Sequence, residues 1–237
     1  MQRYFASIIN KEVILNQDDV FHLTKVMRVK IGENIEVVDN NQKAYLAVIN
    51  SVNPLSISIQ EPILKNSELS TDVTLFFALA KSDKIELVIQ KATELGANKI
   101  VLFQGMRSVV KFSEDDFKRK LPRYQSIAKE AAEQCHRELI PQIEFINNIN
   151  AIDDKLCELN LFAYELEAGN TDSFANLLTK EYKSISVIIG PEGGFDEKEA
   201  NKLLEYGFKP ISLGKRILRC ETASIYALSA LSFNLEK

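Results

Sequence analysis

From Val73 onward the chain alternates short, unbroken apolar runs with stretches of helical period. That alternation admits few solutions other than a largely parallel sheet covered by helices. Residues 73–80 form one continuous apolar run, as expected of a strand covered on both faces. Ile85, Val88, Ile89, Ala92 and Leu95 follow at helical spacing, and Gly96 supplies the stop. Further strands are expected at 100–103, 161–164, 185–189 and 211–213, with helices around 173–178, 196–206 and 221–235. Asp196 and Glu199 stand at capping-box spacing, which fixes the start of the second of these helices. Phe117, Leu121, Tyr124, Ala128, Ala131 and Cys135 step by four and three as one apolar stripe. Pro122 either kinks a single helix there or opens a second one. In the last helix Ala223, Ser224, Ala227, Ala230 and Ser232 are small enough for close helix packing.

The first seventy residues read differently, as mostly β. Strands at 35–38 and 44–49 flank the polar turn Asp39–Asn40–Asn41–Gln42, and Leu55, Ile57 and Ile59 alternate with serines. One helix is expected from about residue 17 to residue 27, with Asp18 and Asp19 at its positive end. Several short strands around one helix suggest a small barrel, and residues 60–72 are the linker candidate. The expected division is therefore 1–70 and 73–237, both within reach of a 237-residue chain.

Ordinary composition, 46% hydrophobic and 26% charged, argues against disorder. No apolar run approaches a bilayer-spanning length, and no signal-peptide core opens the chain, so a cytoplasmic, membrane-free protein is expected. Cys135, Cys157 and Cys220 are odd in number and far apart, which disfavours a disulfide framework. His22 and His136 are the only histidines and match no zinc spacing, so no metal is expected. The net charge of −4 discourages polyanion binding only weakly. Basic residues gather at Lys25/Arg28/Lys30, at Arg107/Lys111 and at Lys118/Arg119/Lys120/Arg123, and local potential is what steers a polyanion.

Two loops carry the functional signal. Gly190–Pro191–Glu192–Gly193–Gly194 follows a strand and opens a helix, where α/β domains place ligands. It lacks the Lys-Ser/Thr of a phosphate loop and the spacing of a dinucleotide fingerprint, so neither ATP nor NAD is indicated. Alone it reads somewhat better as a plain strand-to-helix turn. The run Leu213–Gly214–Lys215–Arg216–Ile217–Leu218–Arg219–Cys220–Glu221–Thr222–Ala223 shifts that balance. Gly214 permits a sharp turn, Ile217 and Leu218 offer apolar walls for an adenine, and Arg216 and Arg219 add fixed charge. The plainer reading makes Ile217 and Leu218 core residues. Arg107–Ser108–Val109–Val110–Lys111 suits a phosphate contact or a solvated edge. His136 and Arg137, after Glu133–Gln134–Cys135, complement a helix C-terminus.

These segments, with Lys91–Ala92–Thr93–Glu94–Leu95–Gly96 and with His22, Val26, Arg28 and Gly32, occur in the order of a known family. The chain resembles the RsmE-type ribosomal RNA small subunit methyltransferases of the SPOUT superfamily over essentially its whole length. The resemblance implies an N-terminal PUA-like β-barrel and a C-terminal SPOUT α/β domain with a trefoil knot, acting as a homodimer. It implies methyl transfer from S-adenosylmethionine to N3 of one uridine in 16S rRNA of the assembled small ribosomal subunit. Gly190, Gly193, Gly194, Leu213, Gly214, Ile217 and Leu218 would line the cofactor pocket. Arg219, then Arg107 and Arg137, would stabilise charge developing on the uracil. Glu221 would accept a proton or simply favour a helix N-terminus. Arg3, Arg28 and Lys111 are the expected RNA contacts. Residues 164–167 fall at a further pocket loop without a motif match, and Cys220 carries no inferred role. Two alternatives stay open, a non-catalytic ribosome-binding factor and a related methyltransferase acting on transfer RNA.

Overall fold

The computed structural model describes residues 1–164 and 174–236. They divide into two compact units: residues 1–68 with 132–139, and residues 69–131 with 140 onward.

The first unit holds β1 (Arg3–Phe5), β2 (Ser7–Ile9), β3 (Glu12–Ile14), α1 (Gln17–Phe21), β4 (Asn34–Val38), β5 (Ala44–Val52) and β6 (Leu55–Pro62). Its sheet runs in the order β1-β4-β5-β6-β3-β2. The β4–β5 hairpin forms where the turn chemistry places it. Asp39 Oδ1 accepts the backbone N–H groups of Asn41 and Lys43 at 2.8 and 2.9 Å, and Gln42 takes φ of 59°. Tyr4, Leu23, Ile35, Val37, Ala47, Ile49 and Ile57 fill the core. The helix expected over 17–27 is α-helical only as far as Phe21. It then widens into a π-helical turn, His22–Val26, that keeps Leu23 in that core. Exposed Arg28 closes the turn in the left-handed region, at φ of 54°. The strands run longer than their apolar cores, so the connection shrinks to residues 63–71.

The second unit contains β7 (Asp72–Ala78), α2 (Ser82–Glu94), β8 (Lys99–Phe103), α3 (Glu114–Gln134), β9 (Gln142–Ile146), β10 (Leu159–Ala163), α4 (Phe174–Leu177), β11 (Ser184–Ile189), α5 (Glu197–Glu205), β12 (Lys209–Ile211) and α6 (Cys220–Leu235). The six strands pair in the order β12-β10-β11-β7-β8-β9, every pair parallel. Alternate side chains of the strands feed two cores. Val73, Leu75 and Phe77 join α2, α3 and α6 on one face, while Phe76 and Ala78 join α5 on the other. Each fully buried side chain of this size contributes about 1.5–3 kcal/mol. On α6 the buried set Cys220, Ala223, Ser224, Ala227, Leu228 and Leu231 packs towards α2. Buried Ser224 satisfies its hydroxyl on the Cys220 carbonyl at 2.9 Å.

Pro122 lies inside one uninterrupted α3. It sits on the exposed side of the helix, as does Lys118, whose carbonyl loses its partner there. The division expected at residue 70 also needs correction, since residues 132–139, at the end of α3 and beyond, belong to the first unit. Side chains rather than sequence proximity recruit them. Arg3 pairs with Glu36 at 2.7 Å and donates to the His136 carbonyl at 2.6 Å, and Arg137 pairs with Glu68.

Candidate active site

Because every strand of the second sheet is parallel, all its carboxyl ends share one side. β11 and β12 flank β10 there. Loops 190–196 and 212–219 therefore leave strands two spacings apart, roughly 10 Å. The backbone N–H of Tyr164, at the end of β10, bonds the Ile211 carbonyl at 3.1 Å. Of the loop expected at 164–167, residues 165–167 lie outside the described residues.

The glycines of the first loop are there for two reasons. A Cβ on Gly190 would stand 3.0 Å from the ring of buried Phe195, and one on Gly193 would stand 3.1 Å from Cβ of Arg107. These two are small because neighbours press close. Gly194 and Gly214 instead have φ of 70° and 105°, with open space where a side chain would project. Bare main chain at the mouths of two adjacent loops is what the edge of a flat heterocycle requires.

A residue outside either motif ties the first loop to the start of α6. Lys84, in the first turn of α2, places its ammonium 3.2 Å from Glu192 and 3.3 Å from Glu221. Burial would lower the Lys84 pKa, but the two carboxylates more than offset it and hold it above the ordinary value. Burial would likewise raise Glu221, yet hydrogen bonds from its own backbone N–H, from the Cys220 thiol and from Lys84 keep it below the usual carboxylate range. Burial chiefly, with the Glu221 contact, pushes the Cys220 thiol up to about 12, so it stays protonated and inert at neutral pH.

A second clasp forms at the N-terminus of α5. Asp196 Oδ1 accepts the Lys198 N–H, and Glu199 Oε2 accepts the Asp196 N–H, completing the capping box. The remaining oxygens reach outward to loop 104–111. Glu199 Oε1 accepts the Met106 N–H at 2.9 Å, and Asp196 Oδ2 pairs with Arg107 at 3.2 Å. The N–H of Lys198 above all, opposed slightly by burial and aided by Arg107, lowers the Asp196 carboxyl.

The expected site residues are distributed as follows. Leu213 and Leu218 are half-buried against the core, whereas Ile217 is 85% exposed, an apolar wall without a covering partner among the described residues. Arg219 is the N-cap residue of α6, exposed and without an ion pair among the described residues. Arg107 is half exposed and also donates to the Gly193 carbonyl at 3.3 Å, so it braces the glycine loop. Glu221 serves Lys84 and the first turn of α6. Lys111 and Arg28 are exposed.

Two arginines depart from expectation. Arg3 is 4% exposed and committed to Glu36, Glu138 and the His136 carbonyl, which leaves no donor face for RNA. Arg137 is 3% exposed with its guanidinium on Glu68. His136 likewise turns to Glu36, at 2.7 Å, rather than to the carbonyls ending α3. The sequence reading gives Arg3 to RNA, Arg137 to the uracil and His136 to a helix end, because sequence spacing does not reveal a distant carboxylate. Among the described residues no cluster of three or more His, Cys, Asp or Glu side chains could hold a metal. Nor is any helix there long and apolar enough to cross a membrane.

Comparison with known proteins places this geometry. Residues 67–232 match the family described as RNA methyltransferase domain, and residues 15–61 match the RNA methyltransferase PUA domain. The ribosomal RNA small subunit methyltransferase E of Bacillus subtilis is 34% identical, over 100% of this chain and 98% of its own length. The protein of the same name from Rickettsia conorii is 33% identical, over 93% of this chain and 89% of its own. Among solved structures, the ribosomal RNA small subunit methyltransferase E of Neisseria gonorrhoeae, bound to S-adenosyl methionine, superposes with a TM-score of 0.86. It is 27% identical, over 98% of this chain and 97% of that one. A chain matched end to end by these proteins, with both glycine loops at the carboxyl edge of a parallel sheet, belongs to the RNA methyltransferase family of the ribosomal RNA small subunit methyltransferases E.

Proposed function

We propose that the chain transfers the methyl group of S-adenosylmethionine to N3 of one uridine in 16S rRNA, acting on the assembled small ribosomal subunit as a cytoplasmic homodimer. The observation that carries this reading is the Lys84 clasp, which ties Glu192 of the loop bearing Gly190 to Gly194 to Glu221 at the start of α6, directly after the loop bearing Leu213 to Leu218. The open main chain at Gly194 and Gly214 and the exposed Ile217 fit a nucleoside-type cofactor. The solved relative from Neisseria gonorrhoeae holds that cofactor. When bound, S-adenosylmethionine supplies a sulfonium methyl that is already electrophilic.

The protein's share is alignment and electrostatics. Gly190, Gly193, Gly194 and Gly214 offer N–H and C=O groups to the heterocycle, with Leu213, Ile217 and Leu218 as its apolar walls. Arg219 donates to O2 or O4 of the uracil and stabilises the ring as N3 gives its proton to water and takes the methyl, the cofactor leaving as S-adenosylhomocysteine. Arg107 positions the glycine loop from its pairing with Asp196. Glu221, anionic and tied to Lys84, orients the start of α6 rather than moving a proton. Arg28 and Lys111 meet the RNA backbone. In the same reading the first unit is a PUA-like β-barrel and the second carries the trefoil knot of a SPOUT domain. Exposed Tyr226 on α6 supports a self-association face.

Methyl-labelled S-adenosylmethionine incubated with unmodified small subunits tests the proposal, with the modified nucleotide mapped by mass spectrometry. One methyl on N3 of a single 16S uridine is expected. Label on transfer RNA instead, or cofactor binding without any transfer, would reject it.

A further inference from the structure

A cavity of about 390 Å³ opens in the second unit at the carboxyl ends of β8 and β9, against α5. None of its lining residues lies in the two glycine loops. Its volume falls within the range of small-molecule pockets, about 300–1,000 Å³. Ile149, buried, and the side chain of Met106 supply apolar surface, and Lys111, Lys198 and Lys202 supply positive charge. The one lining carboxylate is that of Glu199, itself buried. Its oxygens accept the N–H groups of Met106 and Asp196, so its acceptor sites are engaged by backbone donors and the three lysines outnumber its charge.

The cations divide by what already holds them. Lys202 is paired with Glu205 at 3.0 Å and lies over the Tyr206 ring at 4.7 Å. Lys111 and Lys198 are exposed and have no ion pair among the described residues. The amides divide in the same way. Gln104 is occupied by the Val110 carbonyl and the Phe112 N–H, and Asn148 accepts from the Asn150 N–H. The side chains of Asn147 and Asn150 are exposed, with no hydrogen bond among the described residues. Two uncommitted ammonium groups beside two uncommitted amides, over an apolar floor, match the parts of a nucleotide. The cations suit a phosphodiester, the amides suit the edge of a base, and Ile149 with Met106 suits its face.

We infer that this cavity is a second nucleotide subsite, which holds a residue of the substrate RNA other than the methylated base. The inference rests on the proposed RNA methyltransferase activity and adds the site that reads the flanking chain. Lys111 and Lys198 neutralise its phosphate, and Asn147 and Asn150 hydrogen-bond its base.

The test titrates the full-length protein with unmodified small ribosomal subunits over a range of salt, for wild type, Lys198→Ala and Asn147→Ala/Lys198→Ala. The double variant should bind subunits about tenfold more weakly, and Lys198→Ala should reduce the slope of log affinity against log salt by about 0.7–0.9. Calorimetric affinity for S-adenosylmethionine should stay within twofold in both. Unchanged subunit affinity and salt slope would overturn the subsite. So would a parallel loss of cofactor affinity, which would assign these residues to the fold. If wild type binds subunits but transfers no methyl, the proposed activity fails, while the salt slopes still decide the subsite.

Discussion

At the scale of single residues, Arg219 and Lys84 carry the sharpest expectations. Arg219 caps α6 by backbone conformation alone, with no side-chain capping bond, so removing its guanidinium leaves the helix intact. Arg219→Ala is expected to abolish methyl transfer while calorimetry shows cofactor affinity within a few-fold of wild type. Equal loss of both would reassign Arg219 to the cofactor. Lys84 is different, because it stands between two carboxylates that repel each other without it. Lys84→Met should weaken S-adenosylmethionine binding about tenfold, about 1.4 kcal/mol, through opening of the two loops. Lys84→Arg should recover most of that. Unaltered affinity in Lys84→Met would mean the loops hold their geometry without the clasp.

At the scale of elements, the N-terminus of α5 does more than start a helix. The Asp196–Glu199 spacing reads from sequence as a capping box, and the structure forms one. What spacing does not reveal is that the second oxygen of each carboxylate reaches loop 104–111. Asp196→Ala should therefore act twice. It should lower the melting temperature by a few degrees, and it should release Arg107 from the glycine loop, raising the KM for S-adenosylmethionine while scanning calorimetry follows the stability change separately. Loss of stability with an unchanged KM would confine Asp196 to capping. Strand β9 passes unnoticed in the sequence because Gln142–Ile146 is a short edge strand whose alternation, Ile143 then Phe145, spans only two apolar residues.

At the scale of the whole molecule, the unit built from residues 1–68 and 132–139 depends on buried charge. Arg137 and Glu68 neutralise each other, and removing one partner of such a pair costs about 3–5 kcal/mol. Arg137→Met should show that loss in urea unfolding. A variant of full stability that lacked activity would instead restore Arg137 to the chemistry. Glu36 adds a pH dependence. Burial would raise its carboxyl, but hydrogen bonds from His136 and Arg3 more than offset that and hold it below its ordinary value of 4.5. A carboxylate depressed in the folded state contributes stability above the unfolded value and loses it as pH falls through the folded one. Glu36→Gln should thus be less stable than wild type near neutrality, with the gap in urea midpoints closing below about pH 4.5. A gap independent of pH would show that the charge on Glu36 contributes nothing.

The sequence by itself determined the local order of this protein. Apolar periodicity marked most strands and helices of the second unit, the Asp39 turn marked the β4–β5 hairpin, and glycine spacing marked two loops at strand ends. These are short-range consequences of backbone sterics and of burying one face, and a linear pattern records them. Only the tertiary structure decided which charges are spent and which are free. Arg3, His136 and Arg137 look like surface cations in the sequence, yet each is held by a glutamate 33 to 100 positions away. Lys84 looks unremarkable until the fold sets it between Glu192 and Glu221. An ion pair is fixed by distance in space, and chain separation carries no record of that distance.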